Sequence, residues 1–227
     1  PGQEEFYLPT KLPRYMAWMP NDPNTLMLAA HDVLDTEERF DLHAIALDGM
    51  PTRQNSARVF MDDEASISAF DITRDGKFAL LGDVNLFGDA MTNNRVGVIS
   101  IAPDGSMQPV QTILDVKDPA SIKTSPHNNA ALITSAEGNR ILLFSYDPTD
   151  MAQPFTNLGP IMTSTTTPLP IDMVQIERGA QDGTVIVAEL SSIRVVAFQP
   201  DGTVMELSNT PLGEGVQHIV GAIGVQP

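Results

Sequence analysis

Short hydrophobic stretches separated by turn residues run through the whole chain at the length expected of β-strands. Examples are Ile141–Phe144 and Val195–Phe198, each followed closely by an Asp-containing turn. Valine, isoleucine, threonine and leucine dominate these stretches, as is typical of a pleated, half-buried surface. No segment shows the 3.6-residue periodicity of an amphipathic helix. The pattern therefore predicts an all-β chain.

Two markers recur in register along these strands. The first is an Asp-Gly or Asp-Pro turn after a hydrophobic strand, a sequence that favours a tight turn. It occurs at Asp48, Asp104, Asp147 and Asp201. The second is an apolar strand that runs through a small residue into a polar one. These polar residues are His31, Asp83, Glu137 and Glu189, spaced by 52, 54 and 52 residues. Two markers at one period indicate an internal repeat.

Each repeat contains four predicted strands, which is the composition of one β-propeller blade: a four-stranded antiparallel meander. The predicted blades cover residues 13–61, 66–114, 119–158 and 170–208, with single flanking strands at 5–8 and 216–225. In the first blade, the fourth strand is predicted near residues 57–61. Residues 1–227 would then form one propeller domain or a propeller fragment. A β-sandwich or jelly roll is the competing fold, although neither requires the repeated markers.

Segments of the third repeat resemble the YVTN and lactonase-like β-propellers. Pro119–Pro126 and Ala131–Asp147 follow that family's order of strand, turn, strand ending in small residues and Gly-Asn-x-Ile, and Ile72–Ala79 carries a similar turn. The resemblance implies the propeller fold. Propellers of this family usually have seven blades, which need about 350 residues. It therefore implies a larger ring, completed by a missing segment or by a partner chain that covers the open blade edges.

Charge and composition exclude several classes of function. The 13 Lys and Arg residues stand against 29 Asp and Glu residues, a net charge of −16. Such a surface repels nucleic acids and anionic lipids, and no stretch approaches the roughly 18 apolar residues of a membrane helix. The chain has no cysteine, which excludes disulfides and thiolate chemistry. The absence of cysteine favours a periplasmic or secreted protein, with a cytoplasmic location as the alternative.

The blade register places the polar residue of the second marker at one rim of the propeller, in each repeat. The candidate rim residues are His31, Asp32, Asp83, Asn85, Glu137, Asn139 and Glu189, and His218 is a candidate for the channel. Carboxylates suit a divalent cation such as Ca²⁺ or Mg²⁺, and one imidazole admits Mn²⁺ or Zn²⁺. A cationic ligand is equally compatible. The alternative is that these residues only mark where a strand meets solvent.

Two functions fit these features. The first is a binding or scaffold module that recognises a protein or a small ligand at the channel mouth. The second is a lactonase-like, metal-assisted hydrolase at the same rim, which needs a base, a second carboxylate and an oxyanion donor. The residues considered for these roles are His31 or His218, Glu137 or Glu189, and Arg74 or Arg140.

Features against catalysis leave the enzyme question open. Arg74 lies in a turn predicted on the opposite face from the rim. The sequence contains no Gly-x-Ser-x-Gly, His-Glu-x-x-His or glycine-rich phosphate loop. A redox cofactor in the channel is a third possibility, although the sequence lacks the Cys-x-x-Cys-His motif that attaches haem.

Overall fold

The computed structural model describes residues 13–30, 40–60, 66–84 and 94–212. Within these ranges, sixteen strands form four separate sheets, and each sheet contains four consecutive strands. Every neighbouring pair is antiparallel, as in the register of β10 (Ala130–Ser135) with β11 (Arg140–Tyr146). No helix occurs in the described ranges. The predicted all-β fold with four four-stranded blades is confirmed.

The strands follow the chain in simple meanders. The first sheet contains β1 (Pro13–Met19), β2 (Asp22–Ala30), β3 (Leu42–Ala46) and β4 (Thr52–Ala57). The second contains β5 (Ile67–Ile72), β6 (Phe78–Asp83), β7 (Arg95–Ile101) and β8 (Met107–Ile113). The third contains β9 (Ile122–Thr124), β10, β11 and β12 (Phe155–Pro160). The fourth contains β13 (Asp172–Gln175), β14 (Thr184–Ala188), β15 (Ser192–Phe198) and β16 (Val204–Pro211).

The fourth strand of the first sheet differs from the prediction near residues 57–61. It spans Thr52–Ala57 and is almost entirely polar, as an outer strand facing solvent can be. The hydrophobic residues Val59 and Phe60 lie just beyond it and are buried. Their amides donate to Oδ2 of Asp41 at 2.8 and 2.9 Å rather than to a neighbouring strand. Hydrophobicity predicted a strand where a buried carboxylate holds a loop instead.

The hydrophobic core lies between successive sheets. One cluster joins the first and second sheets around Phe60 and Ile99, and a second joins the next pair around Phe78 and Phe155. The Phe78 and Phe155 rings meet edge to face, with centroids 5.9 Å apart. A third cluster joins the last two sheets and includes Phe198. Because a single four-stranded sheet cannot bury both faces, each sheet depends on its neighbour for its core.

Close packing explains why a small residue precedes the polar marker in each repeat. The four small residues are Ala30, Gly82, Ala136 and Ala188, and the three alanines are at most 1% exposed. A Cβ added to Gly82 would lie 2.9 Å from the main-chain oxygen of Pro119, which leads into the next sheet. β6 therefore ends against the neighbouring sheet, where a larger side chain does not fit.

The aspartate turns that link third and fourth strands also have a local cause. Oδ1 of Asp104, Asp147 and Asp201 accepts the amide and the hydroxyl of the Ser or Thr two residues later, at 2.6–3.0 Å. These hydrogen bonds, the hydroxyl bond foremost, lower the pKa of all three carboxyls. Gly105 and Gly202 supply the left-handed conformation, with φ of +80° and +87°.

Some expectations reach beyond the described residues. The flanking strands predicted at 5–8 and 216–225 lie outside the described ranges. The larger ring and the division of the whole chain into one domain or fragment stay predictions. In the described part of the chain, no helix is long and apolar enough to cross a membrane.

Candidate ligand site at the channel mouth

The first strands of the four sheets lie side by side and are joined by side-chain hydrogen bonds. The Tyr15 hydroxyl of β1 donates to the main-chain oxygen of Ser68 in β5. The Ser68 hydroxyl in turn donates to the oxygen of Pro119, before β9, at 2.6 Å. The amide of Met173 in β13 donates to Oγ of Ser121 at 3.1 Å. These bonds connect the first strand of each sheet, which we call its inner strand, to the inner strand of the following sheet.

The bridging positions form a repeat that the sequence analysis missed. They are Tyr15, Ser68, Ser121 and Asp172; Ser121 directly precedes β9, and the other three lie in β1, β5 and β13. Tyr15 and Ser68 are 53 residues apart, and Ser121 and Asp172 are 51 residues apart. The same period that aligned the second strands would have aligned these positions as well. Their chemical variety, a phenol, two hydroxyls and a carboxylate, hides the equivalence in the sequence.

A cavity of about 360 Å³ opens between these strands. Its lining residues are Tyr15, Ala69, Phe70, Ala120, Ser121, Ile122, Lys123, Ile171, Asp172 and Met173. Ala69 pairs with Gly82, and Asp172 pairs with Ala188. Since Gly82 and Ala188 immediately precede the polar markers, the cavity lies at the rim end of the strands. We call it the channel-mouth cavity.

Three ionisable side chains give this cavity its chemical character. Tyr15 keeps 39% of its surface exposed, and burial of the remainder raises the pKa of its hydroxyl. Arg14 opposes this pKa rise and the Asp172 carboxylate adds to it, so Tyr15 and Asp172 are electrostatically coupled across the first and fourth sheets. The carboxylate of Asp172 accepts its neighbouring amide, that of Met173, at 2.8 Å. Lys123 supplies an ammonium group in the same lining.

Lys123 is also coupled to a carboxylate between the second and third sheets. Oδ2 of Asp71 accepts the amide of Thr124 at 2.6 Å and its hydroxyl at 3.0 Å. Burial raises the pKa of Asp71, and the charge of Lys123 opposes that rise. The inner strands therefore carry a buried acid, an ammonium and a phenol within one connected region.

At the rim, Asp83 is fully buried and ion-paired. Its carboxylate accepts Nε of Arg95 at 3.0 Å and the amide of Ser66 at 2.7 Å. The Arg95 guanidinium also lies over the Phe60 ring, 4.8 Å from its centroid. These contacts connect β6 and β7 with the loop before β5. The charge of Asp83 is balanced within the protein.

Glu189 is buried in a comparable but larger network. Its carboxylate accepts the hydroxyl of Ser192 and Nε of Arg194, the latter at 2.6 Å. The fully buried Arg194 guanidinium also donates to Glu206 at 2.9 Å and to the main-chain oxygen of Thr166 at 3.0 Å. The threonine-rich connection between the third and fourth sheets therefore encloses an arginine. Nothing in its own sequence indicates this partner.

Glu137 and Asn139 lie at the rim of the third sheet, and both are exposed. Asn139 has a φ of +49°, and its Oδ1 accepts the amide of Leu169 at 2.8 Å. Glu137 lies near Asp118, because its charge, after burial, is the second cause that raises the pKa of Asp118. Asp118 is thus a rim carboxyl that the sequence analysis did not single out.

The described rim candidates occupy equivalent ends of three sheets, namely Asp83, Glu137 with Asn139, and Glu189. The candidates that lie outside the described residues are His31, Asp32, Asn85 and His218. Across residues 13–30, 40–60, 66–84 and 94–212, no three His, Asp or Glu side chains are grouped closely enough to hold a metal ion. The rim as a ligand or Ca²⁺ site stays a prediction.

The two arginines considered as oxyanion donors lie at opposite ends of their blades. Arg74 is exposed in the turn between β5 and β6, away from the rim. Arg140 begins β11 and pairs with Ser135 at the rim end, where it is exposed. Of the two, only Arg140 is on the rim side.

The arrangement of the sheets matches that of solved propeller structures. No family model matches the chain, and no curated protein matches its sequence. The periplasmic gluconolactonase of Pseudomonas aeruginosa superimposes with a TM-score of 0.68 at 14% identity, over 90% of this chain and 58% of that one. The β-propeller domain of Myceliophteria thermophila Cps50 (Swd1) gives 0.56 at 10% identity, over 89% and 59%. The four sheets are β-propeller blades.

A lactonase-like propeller is also among the neighbours. A Bacteroides uniformis protein described as a candidate 6-phosphogluconolactonase has a TM-score of 0.57 at 16% identity, over 91% of this chain and 59% of that one. The resemblance to lactonase-like propellers is therefore confirmed for the fold. The chain spans less than two thirds of each of these three proteins.

Proposed function

We propose that these propeller blades form a binding module for a small polyhydroxylated molecule at the channel-mouth cavity. The observation that carries the proposal is the convergence of all four inner strands on one cavity of about 360 Å³, whose largely apolar lining includes a phenol, a carboxylate and an ammonium group. This volume falls at the lower end of the range for small-molecule sites, roughly 300–1,000 Å³.

The side chains of the cavity define the class of ligand. Asp172 accepts hydrogen bonds from ligand hydroxyls, and the Tyr15 phenol, protonated at neutral pH, serves as donor or acceptor. Lys123 attracts a carboxylate or a carbonyl oxygen. Phe70 provides an apolar surface for the carbon skeleton. Sugar acids and their lactones combine these features.

Isothermal titration calorimetry with D-gluconate and glucono-δ-lactone tests the proposal. Asp172→Asn retains an acceptor for the Met173 amide but removes the charge, and Lys123→Met removes the ammonium. We expect each to weaken binding of at least one of the two compounds by about tenfold, the value of one lost charged hydrogen bond. Lys77→Met is the matched control, because Lys77 lies on the opposite side of the blades.

The controls determine how the titrations are read. Unchanged affinity in Lys77→Met together with weaker binding in the other two variants supports the channel-mouth site. No heat from either compound contradicts the proposal, as does an equal loss in all three variants. Binding of a protein in place of these compounds would support the scaffold function instead.

A metal-assisted lactonase is the second candidate, supported by the two lactonase-type neighbours. It uses the predicted rim, with His31 or His218 as base and Glu137 or Glu189 as the second carboxylate. A pH-stat assay of glucono-δ-lactone, with and without Ca²⁺ or Mn²⁺, separates it from a binding module. Turnover above the buffer rate that His31→Ala or His218→Ala abolishes favours the hydrolase, whereas binding without turnover favours the module.

We also propose a periplasmic or secreted location. One neighbour is a periplasmic protein, and the chain has no cysteine. Fractionation of cells that express the full-length gene product, followed by immunodetection, tests the location. Detection in the cytoplasmic fraction alone would contradict it.

A further inference from the structure

Another cavity, of about 690 Å³, lies between the first and second blades. Four turns form its mouth: those between β1 and β2, between β5 and β6, between β7 and β8, and between β11 and β12, the last of which carries Pro148 and Met151. These turns lie at the ends of the strands opposite to the rim. The cavity is therefore separate from the channel mouth, and its volume suits a small organic ligand.

Methionine dominates the apolar lining of this cavity. The four methionines are Met19, Met27, Met107 and Met151, and we call the cavity the methionine cleft. Met27 is buried at its base, with 1% of its surface exposed, whereas Met151 is 47% exposed at the mouth. Unbranched thioether side chains adapt to apolar ligands of different shapes. The base of the cleft therefore favours a flexible apolar body.

The mouth of the cleft is acidic. Asp22, Asp75 and Asp104 lie in its lining, together with one cation, Lys77. Hydrogen bonds from Thr25 and Ser106 hold the pKa of Asp22 and Asp104, respectively, below the usual value. Both are ionised at neutral pH, and the whole chain carries a net charge of −16. The potential at the mouth therefore attracts cations and repels anions.

Hydrogen bonds between blades hold the mouth in shape. Nδ2 of Asn21 donates to the main-chain oxygen of Asp75 at 2.8 Å. Nδ2 of Asn55 donates to the oxygen of Gly105 at 2.9 Å. The Lys77 ammonium donates to the oxygen of Pro148, in the third blade, at 3.3 Å. Because the turns are fixed to one another, the cleft is formed before a ligand arrives, which lowers the entropy cost of binding.

We propose that the methionine cleft binds a small organic cation with an apolar body and an ammonium head. The apolar body packs against the thioethers, and the head lies among the carboxylates of the turns. Charge complementarity decides the sign of the ligand, since three carboxylates face one ammonium group. This site is independent of the channel-mouth site.

Methionine methyl NMR with n-octylammonium as probe tests the proposal. We expect the methyl signals of the four cleft methionines to shift on titration, while those of Met162 and Met205 do not. These two control methionines are 88% and 49% exposed and lie outside the cleft. n-Octanoate has the same number of carbon atoms and the opposite charge, and we expect it to bind at least about tenfold more weakly.

Two pairs of variants distinguish the cleft from general attraction to an acidic protein. Asp104→Asn should weaken octylammonium binding by about three- to fivefold, the value of an exposed charge pair. Asp201→Asn is its control, because Asp201 forms the same kind of turn in the fourth blade. Met151→Lys, which adds a cation at the mouth, should weaken binding more than Met205→Lys does.

Each pair changes the net charge equally, so a difference within a pair locates the ligand. Shifts spread over all methionines, or equal losses within both pairs, would overturn the proposal. Tight binding of octanoate would overturn it as well. Asp172→Asn, which disrupts the channel mouth, should leave octylammonium affinity unchanged, so the two proposals fail separately.

Discussion

At the scale of single residues, buried charges hold the rim of the blades together. Asp83 pairs with Arg95, and Glu189 pairs with Arg194. Removing one partner from a buried pair leaves the other charge without compensation, which costs more than the pair itself contributes. Asp83 and Glu189, the polar markers of the second and fourth blades, therefore contribute to the stability of the blades, independently of any ligand at the rim.

Arg194→Met should destabilise the protein by about 3–5 kcal/mol, because Glu189 would remain buried without its cation. The double variant with Glu189→Gln should regain part of that loss, since the fully buried Glu189 no longer carries an uncompensated charge, while Glu206 still lacks its partner. Urea denaturation at pH 7 measures both. The exposed Arg178 provides the control: Arg178→Met should change the free energy of unfolding by less than about 0.5 kcal/mol. Equal costs for Arg194→Met and Arg178→Met would contradict this prediction.

At the scale of strands, a side chain of one blade can make the hydrogen bonds that a neighbouring main chain makes within a sheet. Nε2 of the Gln111 side chain in β8 donates to the main-chain oxygen of Phe155 at 2.8 Å. Oε1 of the same side chain accepts a hydrogen bond from the main-chain amide of Phe155 at 2.9 Å. This is the paired exchange of an antiparallel ladder, made by one side chain. It ties the outer strand of the second blade to the outer strand of the third, above the Phe155 ring in the core.

Gln111→Ala should lower the free energy of unfolding by about 1–3 kcal/mol, because two main-chain groups of the buried Phe155 lose their partner. Gln108, three residues earlier in the same strand, is exposed. Gln108→Ala should therefore have little effect. Denaturant titrations of both variants provide the comparison, and a loss of similar size in each would refute the role assigned to Gln111.

At the scale of the whole molecule, the balance of charge is the dominant electrostatic feature. A net charge of −16 on 227 residues makes the folded state repel itself at neutral pH. Salt screens exposed charges beyond about 10 Å at about 0.1 M, while buried pairs are screened much less. The repulsion should therefore respond to salt more than the rim ion pairs do.

The melting temperature should rise by a few degrees, roughly 2–4 °C, between about 10 mM and 200 mM NaCl at pH 7. Near the isoelectric point of about 4.3 the net charge vanishes, so the same salt step should have little or no stabilising effect. Differential scanning calorimetry at both pH values makes the comparison. A rise of equal size at both would show that screening of the net charge is not the cause.

The local features of the blades were predictable from the sequence. The Asp104, Asp147 and Asp201 turns depend on hydrogen bonds between residues two positions apart, so their cause is contained in a few consecutive residues. The repeat and the four-stranded meanders follow from the spacing of such turns and from strand hydrophobicity. The outer strand β4 was misplaced because a solvent-facing strand carries little hydrophobic signal.

Only the tertiary structure decided the partners and the sites. Arg194 donates a hydrogen bond to the main-chain oxygen of Thr166, and Tyr15 donates one to that of Ser68. No local sequence pattern specifies these long-range pairs. The channel-mouth cavity and the methionine cleft both lie between blades, where stacking brings together side chains about 50 residues apart. The sequence determines the four-stranded blade, because the turns that separate its strands each depend on a few consecutive residues. The stacking of the blades determines the sites, because a cavity is formed by the residues that packing places around it.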